Sequence, residues 1–171
     1  MNNKFHKTSS LSRSAARLAA VQALYQIEES NISAENAIEE FLSYRIGKGL
    51  GENNNYQKVD TEYFSLIVTG VSVQLSQLDN ELEKCISVNW NINRLGPLMH
   101  SLLRAGIFEL LNRPDIPVKV VISEYIELSH DFFDSKDSAF VNAVLDCVSK
   151  KLKSDTNPKV RGLNGFSQTK Q

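Results

Sequence analysis

Two arginines, Arg13 and Arg17, stand four residues apart in the stretch SRSAARLAAVQALYQIEE, residues 12–29. On a helix that spacing puts both guanidinium groups on one side of neighbouring turns. A guanidinium presents a planar fork of donors that matches a phosphate or a carboxylate. No acid precedes either arginine, and the stretch closes on Glu28 and Glu29. With Ser12 as the N-cap, this order opposes the helix dipole, which favours acids in the first turn and bases in the last. Two readings follow: a solvated basic face, or arginines held out for an anion.

Other residues bear on the same choice. Ser138 and Phe140 stand at the expected start of the last helix. Ser138 suits an N-cap, and its hydroxyl also suits a hydrogen bond to an anion at a helix N-terminus. Phe140 reads either as a base-stacking ring or as a core phenylalanine. Tyr25 lies two turns beyond Arg17, at the edge of a protein-binding face. Glu109, Glu124 and Glu127 raise the possibility of acid–base or metal chemistry. Only His130 stands at ligand spacing beside them, and no nucleophile accompanies them, so they read as structural and surface charges. No enzyme, metal or cofactor is expected. Cys85 and Cys147 are the only cysteines. Without a CxxC or a nearby histidine they suggest neither zinc nor a disulfide framework, and they read as small core residues.

The chain of 171 residues is 42% hydrophobic and 23% charged, the profile of a globular protein with one core. No apolar run approaches the ~20 residues of a membrane helix. The N-terminus has no apolar segment followed by a cleavage site, so a cytoplasmic location is expected. The net charge of −1 is unevenly divided: +4 over residues 1–27, +5 over 150–171, and −10 between them. Basic ends on an acidic body suit a polyanion at the ends and another partner at the body.

These residues must be positioned by helices. Residues 1–11 read as a mobile polar arm. Ala16, Ala20, Ala23, Leu24 and Ile27 recur at helical spacing, which predicts a helix of about five turns over 12–29. Ser33 caps a second segment, 34–45, which Gly47 stops. Residues 47–58 (GKGLGENNNYQK) form a loop. Asp60 caps a long pattern running to Leu82, either one helix kinked near Gly70 or Gln77, or two. SVNWNINR (87–94) breaks the periodicity, with Trp90 as a packing anchor. Pro97 opens a helix to Asn112 that is apolar on several sides and therefore central, with Gly106 allowing a close crossing. Pro117 opens another to about Phe133, and Ser138 caps the last, to about Leu152. Residues 154–171 read as a basic tail. No stretch alternates with period two, so the fold is expected to be all-α.

Three stretches together resemble the NusB family of bacterial transcription antitermination factors: RSAARLAAVQALYQIE (13–28), LLRAGIFELLNRPDIPVKVVISEYIELSHDF (102–132) and DSAFVNAVLD (137–146). The resemblance runs from about residue 12 to 150. It implies a bundle of about seven helices in two packed subdomains, about 12–88 and 95–153. It also implies binding of single-stranded boxA-like RNA from ribosomal RNA operons, together with the small-subunit ribosomal protein NusE and RNA polymerase. Carried over to this chain, it makes Arg13, Arg17, Ser138 and Phe140 RNA-binding residues and Tyr25 a partner-binding residue. Ser14 and Ala15 occupy places where family members often carry further arginines. That thinned cluster leaves a second reading open, a helical interaction scaffold with weak or no RNA binding.

Overall fold

The computed structural model describes residues 3–46, 59–86 and 95–155. Their regular elements are all helical: α1 (Asn3–Ser30), α2 (Ala34–Glu40), α3 (Thr61–Val73), α4 (Leu75–Glu83), α5 (Pro97–Asn112), α6 (Val118–His130) and α7 (Ser135–Asp155). A wider π-helical stretch, Phe41–Ile46, continues α2 without a break. The all-α expectation and the number of helices agree with this. The expected 47–58 loop, the 87–94 boundary with Trp90, and all of the basic tail beyond Asp155 lie outside the described residues.

Several ends follow from local chemistry. The Ser33 hydroxyl accepts the Asn36 backbone N–H at 3.2 Å, and the Asp60 carboxylate accepts that of Tyr63 at 3.0 Å. Each satisfies a donor that the first helical turn leaves unpaired. Pro97 is the first residue of α5, where no N–H is needed. Asn31 makes the α1–α2 turn with a φ of 50°, a conformation asparagine tolerates better than most residues.

Helix α5 is the hub. It packs against α1, α3, α4, α6 and α7, and Leu102, Leu103, Ala105 and Ile107 on it are fully buried. The alanines Ala16, Ala20 and Ala23 of α1 are also fully buried. Their small side chains let α1 lie close against α3 and α5. The Phe41 ring stacks on Phe64 with centroids 5.6 Å apart, tying the end of the second segment to α3. A Cβ at Gly106 would stand 3.0 Å from a Leu145 methyl and 3.3 Å from the Tyr125 ring. The close crossing expected there is one of α5 against α6 and α7.

Three expectations are corrected, and one that was open between two alternatives is decided. Helix α1 begins at Asn3, so Ser12 does not cap it. No proline or glycine interrupts 3–11, and a nucleated helix propagates through such a stretch. Arg13 and Arg17 therefore sit mid-helix, where the dipole is weak because it acts mainly within the terminal turns. Helix α7 begins at Ser135, and its cap is Asp134, whose Oδ1 accepts the N–H groups of Lys136 and Asp137 at 2.9 Å. Ser138 is one turn inside. The long 60–82 pattern is two helices, broken at Gln74, a residue away from helical backbone geometry (φ −108°, ψ 16°). Lastly, Cys85 and Cys147 are not separate core residues. They form a disulfide between the turn after α4 and α7, with Cα atoms 5.8 Å apart.

The close approach of α3 and α5 gives a test. A Cβ at Gly70 would collide with the Phe108 ring. Gly70→Ala is expected to destabilise the fold by about 1–3 kcal/mol, the usual effect of overpacking, despite alanine's better helix propensity. Thr69→Ala, at an exposed neighbouring position, should be nearly neutral. Urea unfolding of both proteins measures the difference, and a Gly70→Ala midpoint at or above the parent's contradicts this packing.

Candidate nucleic-acid interface

Arg17 does not face solvent. It is 3% exposed because it lies in register with Val21 and Leu24, three and four residues apart on the inward face of α1. Its Nε and Nη2 donate to the two carboxylate oxygens of Glu109, each at 2.9 Å. Its Nη1 donates to Glu124 on α6 at 3.0 Å, and Nη2 also reaches the Tyr63 hydroxyl at 3.3 Å. Glu109, on α5, is 0% exposed. Its carboxylate also accepts the hydroxyls of Tyr63 at 2.6 Å and Tyr125 at 2.9 Å. One buried carboxylate thus binds side chains from α1, α3 and α6. Ser14, one turn before Arg17, donates to Glu124 at 2.5 Å.

The electrostatics fit this arrangement. Burial works against the Arg17 charge, but the hydrogen bonds and the charge of Glu109 outweigh it and hold the guanidinium above its ordinary range. Burial, followed by the Glu109 contact, raises the Tyr63 and Tyr125 hydroxyls. Both stay protonated as donors at neutral pH.

Arg13 is the arginine that faces outward, with a side chain 40% exposed. Its guanidinium carbon lies 5.3 Å from the centroid of the Tyr63 ring, and its Nε is 3.8 Å from an Asp60 oxygen. That Nε is buried and makes no hydrogen bond. Arg113, just past α5, lies 4.9 Å from the same ring and forks onto Asp115 at 2.8 and 2.7 Å. The Arg113 hydrogen bonds hold Asp115 down to about 2. Tyr63 therefore has its hydroxyl on the buried carboxylate and its ring among Arg13, Arg17 and Arg113. Arg113 was not among the expected site residues. The available signal was a basic residue two before an acid in the turn RPD.

The other expected residues lie on α7. Ser138 is 2% exposed, and its Oγ has no hydrogen-bond partner. Phe140 is half-buried and packs against the core. Arg13 and Arg17 meet on Tyr63 of α3, whereas Ser138 and Phe140 lie on α7. Helices α1 and α7 share α5 as a neighbour. Tyr25 is 39% exposed on a surface hollow of about 410 Å³ that it lines with Gln22, Glu29, Arg45, Leu98 and Phe132. A second hollow, about 370 Å³, opens between α1 and α6 and carries Glu124, Glu127 and Asp131. Its acidic wall repels phosphate, so an anion approaching α1 is favoured on the Arg13 side. Among the described residues, no group of three or more His, Cys, Asp or Glu is placed to hold a metal. None of the described helices is long and apolar enough to cross a membrane.

Comparison with known proteins gives a consistent result. The family model described as "NusB family" matches residues 14–150. The transcription antitermination protein NusB of Bartonella henselae is 40% identical over 141 residues, covering 82% of this chain and 89% of that protein. The protein of the same name from Rhizobium rhizogenes is 39% identical over 143 residues, covering 84% and 89%. Among solved structures, T. maritima NusB aligns with a TM-score of 0.67 at 30% identity, over 84% of this chain and 96% of that one. NusB in a crystal structure of antitermination factors NusB and NusE with dsRNA aligns with a TM-score of 0.64, over 82% and 97%. Its 24% identity speaks for the fold alone.

The buried ion pair yields a prediction. Arg17→Ala or Glu109→Ala leaves an uncompensated charge inside, and each is expected to destabilise by about 3–5 kcal/mol. Arg17→Ala combined with Glu109→Ala removes both charges and should lose much less than the two single losses added. Chemical denaturation of the four proteins checks this, and additive losses would mean that the charges do not interact.

Proposed function

The chain belongs to the NusB family, and we propose that within it this protein is an RNA-binding transcription antitermination factor. It acts on ribosomal RNA operons in the cytoplasm, binds single-stranded boxA-like RNA together with NusE, and joins RNA polymerase without catalysing a reaction. The match over residues 14–150 is the observation that carries this reading. The uneven charge supports it, with basic ends suited to RNA and an acidic body of −10 suited to a basic ribosomal protein.

Within that function the residues take different parts. Arg13 contacts phosphate, since its side chain is 40% exposed and its acidic partner, Asp60, is 3.8 Å away. Arg113 stands beside it on Tyr63 as a second cation. Arg17 supports this pair from beneath, because all three of its side-chain nitrogens bond protein oxygens. Phe140 offers part of its ring to a base, and Ser138 lies buried two residues before it on α7. Tyr25 lies on the face that meets NusE. The scaffold reading keeps one point in its favour, the withdrawal of Arg17 into the core.

Salt titrations of binding to a boxA-like RNA test this. Phosphate contacts make log K fall with log salt, and Arg13→Ala should reduce that slope by about one unit. Phe140→Ala should weaken binding by about 1–3 kcal/mol with the slope unchanged. Tyr25→Ala should lower NusE affinity and leave binding of RNA alone intact. If the folded parent shows no salt-dependent RNA affinity with or without NusE, the scaffold reading replaces this one.

A further inference from the structure

Cys85 and Cys147 take no part in the surface assigned to RNA. Cys85 ends the turn after α4, and Cys147 faces it from α7, 62 residues later in the chain. Both residues are only half-buried. A second contact closes the same junction: the Lys151 ammonium donates to the Lys84 carbonyl at 2.5 Å. That places a positive charge one peptide unit from Cys85. Among its neighbours, Lys84 pairs with Glu81 at 2.6 Å and Lys150 with Asp146 at 2.6 Å. Positive charge beside a cysteine favours the thiolate, the form that attacks and is displaced in thiol–disulfide exchange. The bond ties α4 to α7, which otherwise meet mainly through α5. Leu78 and Leu82 hold α4 in the core independently of it.

We propose that Cys85 and Cys147 form a thiol–disulfide exchange site, opened by dithiols and closed by low-molecular-mass disulfides, that acts as a redox-sensitive strap between α4 and α7. In the opening direction, a thiolate of the dithiol attacks one sulfur. The Cys85–Cys147 bond breaks and a mixed disulfide forms. The reagent's second thiol displaces the cysteine, leaving two protein thiols and an oxidised cyclic reagent, with two electrons and two protons gained by the protein. In the closing direction, a cysteine thiolate attacks oxidised glutathione and releases one glutathione thiol. The second cysteine displaces the other, and the two electrons leave with two reduced glutathiones. A reducing compartment keeps such thiols open, so the strap closes when the thiol pool becomes oxidised.

The full chain tests this. After oxidised glutathione it should show no free thiols and one Cys85–Cys147-linked peptide by mass spectrometry, and after dithiothreitol two free thiols and a reduced peptide pair. The oxidised protein should melt about 5–15 °C higher, the scale expected for a cross-link closing a loop of this length. Cys85→Ser and Cys147→Ser should each melt near the reduced parent and ignore the redox reagent. If either serine variant fails to fold, the comparison within the parent still decides. Three results overturn the proposal: equal melting temperatures of the two parent states, glutathione adducts or linked dimers instead of the internal bond, or a bond that stays closed across a full series of glutathione mixtures. The last would make it a permanent brace.

Discussion

A carboxylate with no exposed surface and a guanidinium with almost none face each other where α1 meets α5. Removing each ion from water costs several kcal/mol, and the attraction between them repays this only when the remaining lone pairs and protons also find partners. Glu109 meets that condition. It accepts two bonds from Arg17, one from Tyr63 and one from Tyr125. The bidentate fork tolerates little rotation or sliding. A shift of α1 by one residue would carry Arg17 off the inward face and strand Glu109 without a counter-charge. Apolar packing alone would tolerate such a shift more easily, because alanines and leucines recur along α1. The ion pair therefore fixes the register of α1 against α5, and the tyrosines extend that constraint to α3 and α6.

Much of the scaffold was legible because its signals are local. Ser33, Asp60 and Pro97 mark helix starts by satisfying or avoiding unpaired N–H groups, and each does so where its type and place predict. The centrality of α5 followed from its leucines and Ala105, which make it apolar on several sides. The start of α1 was not legible: Ser12 has a good cap side chain, but nothing in 3–11 stops a helix. The same holds at α7, where Asp134 and Ser138 are both acceptable caps and only three-dimensional context chooses between them.

The site was less legible than the fold because its bonds are long-range. Arg17 and Glu109 are 92 residues apart, and an arginine beside alanines reads equally well as a basic face. The discriminating sign was its register with Val21 and Leu24, apolar residues on the same face. A matching sign sits on α5, where Glu109 follows Leu102 and Ala105 at intervals of seven and four. Two charges of opposite sign, each in an apolar stripe, indicate a buried pair once both stripes are seen to face inward. The cysteines resisted reading for the same reason, since a separation of 62 residues carries no geometric information until α4 and α7 are docked.

Tyr63 couples the interior to the surface. Its hydroxyl donates to Glu109 at 2.6 Å, which fixes the direction of the ring. The ring in turn offers its π-system to Arg13 and Arg113 from outside and to Arg17 from within. Three like charges around one ring repel each other, and the arrangement persists because each has an acid: Glu109 for Arg17, Asp115 for Arg113, and Asp60, more distantly, for Arg13. The looseness of that last pair, at 3.8 Å, makes Arg13 the cation most readily given to another anion. A phosphate there gains the full charge of Arg13 while displacing only a weak contact. The interior thus holds one arginine out of reach and, through a single tyrosine, sets another where an anion can take it.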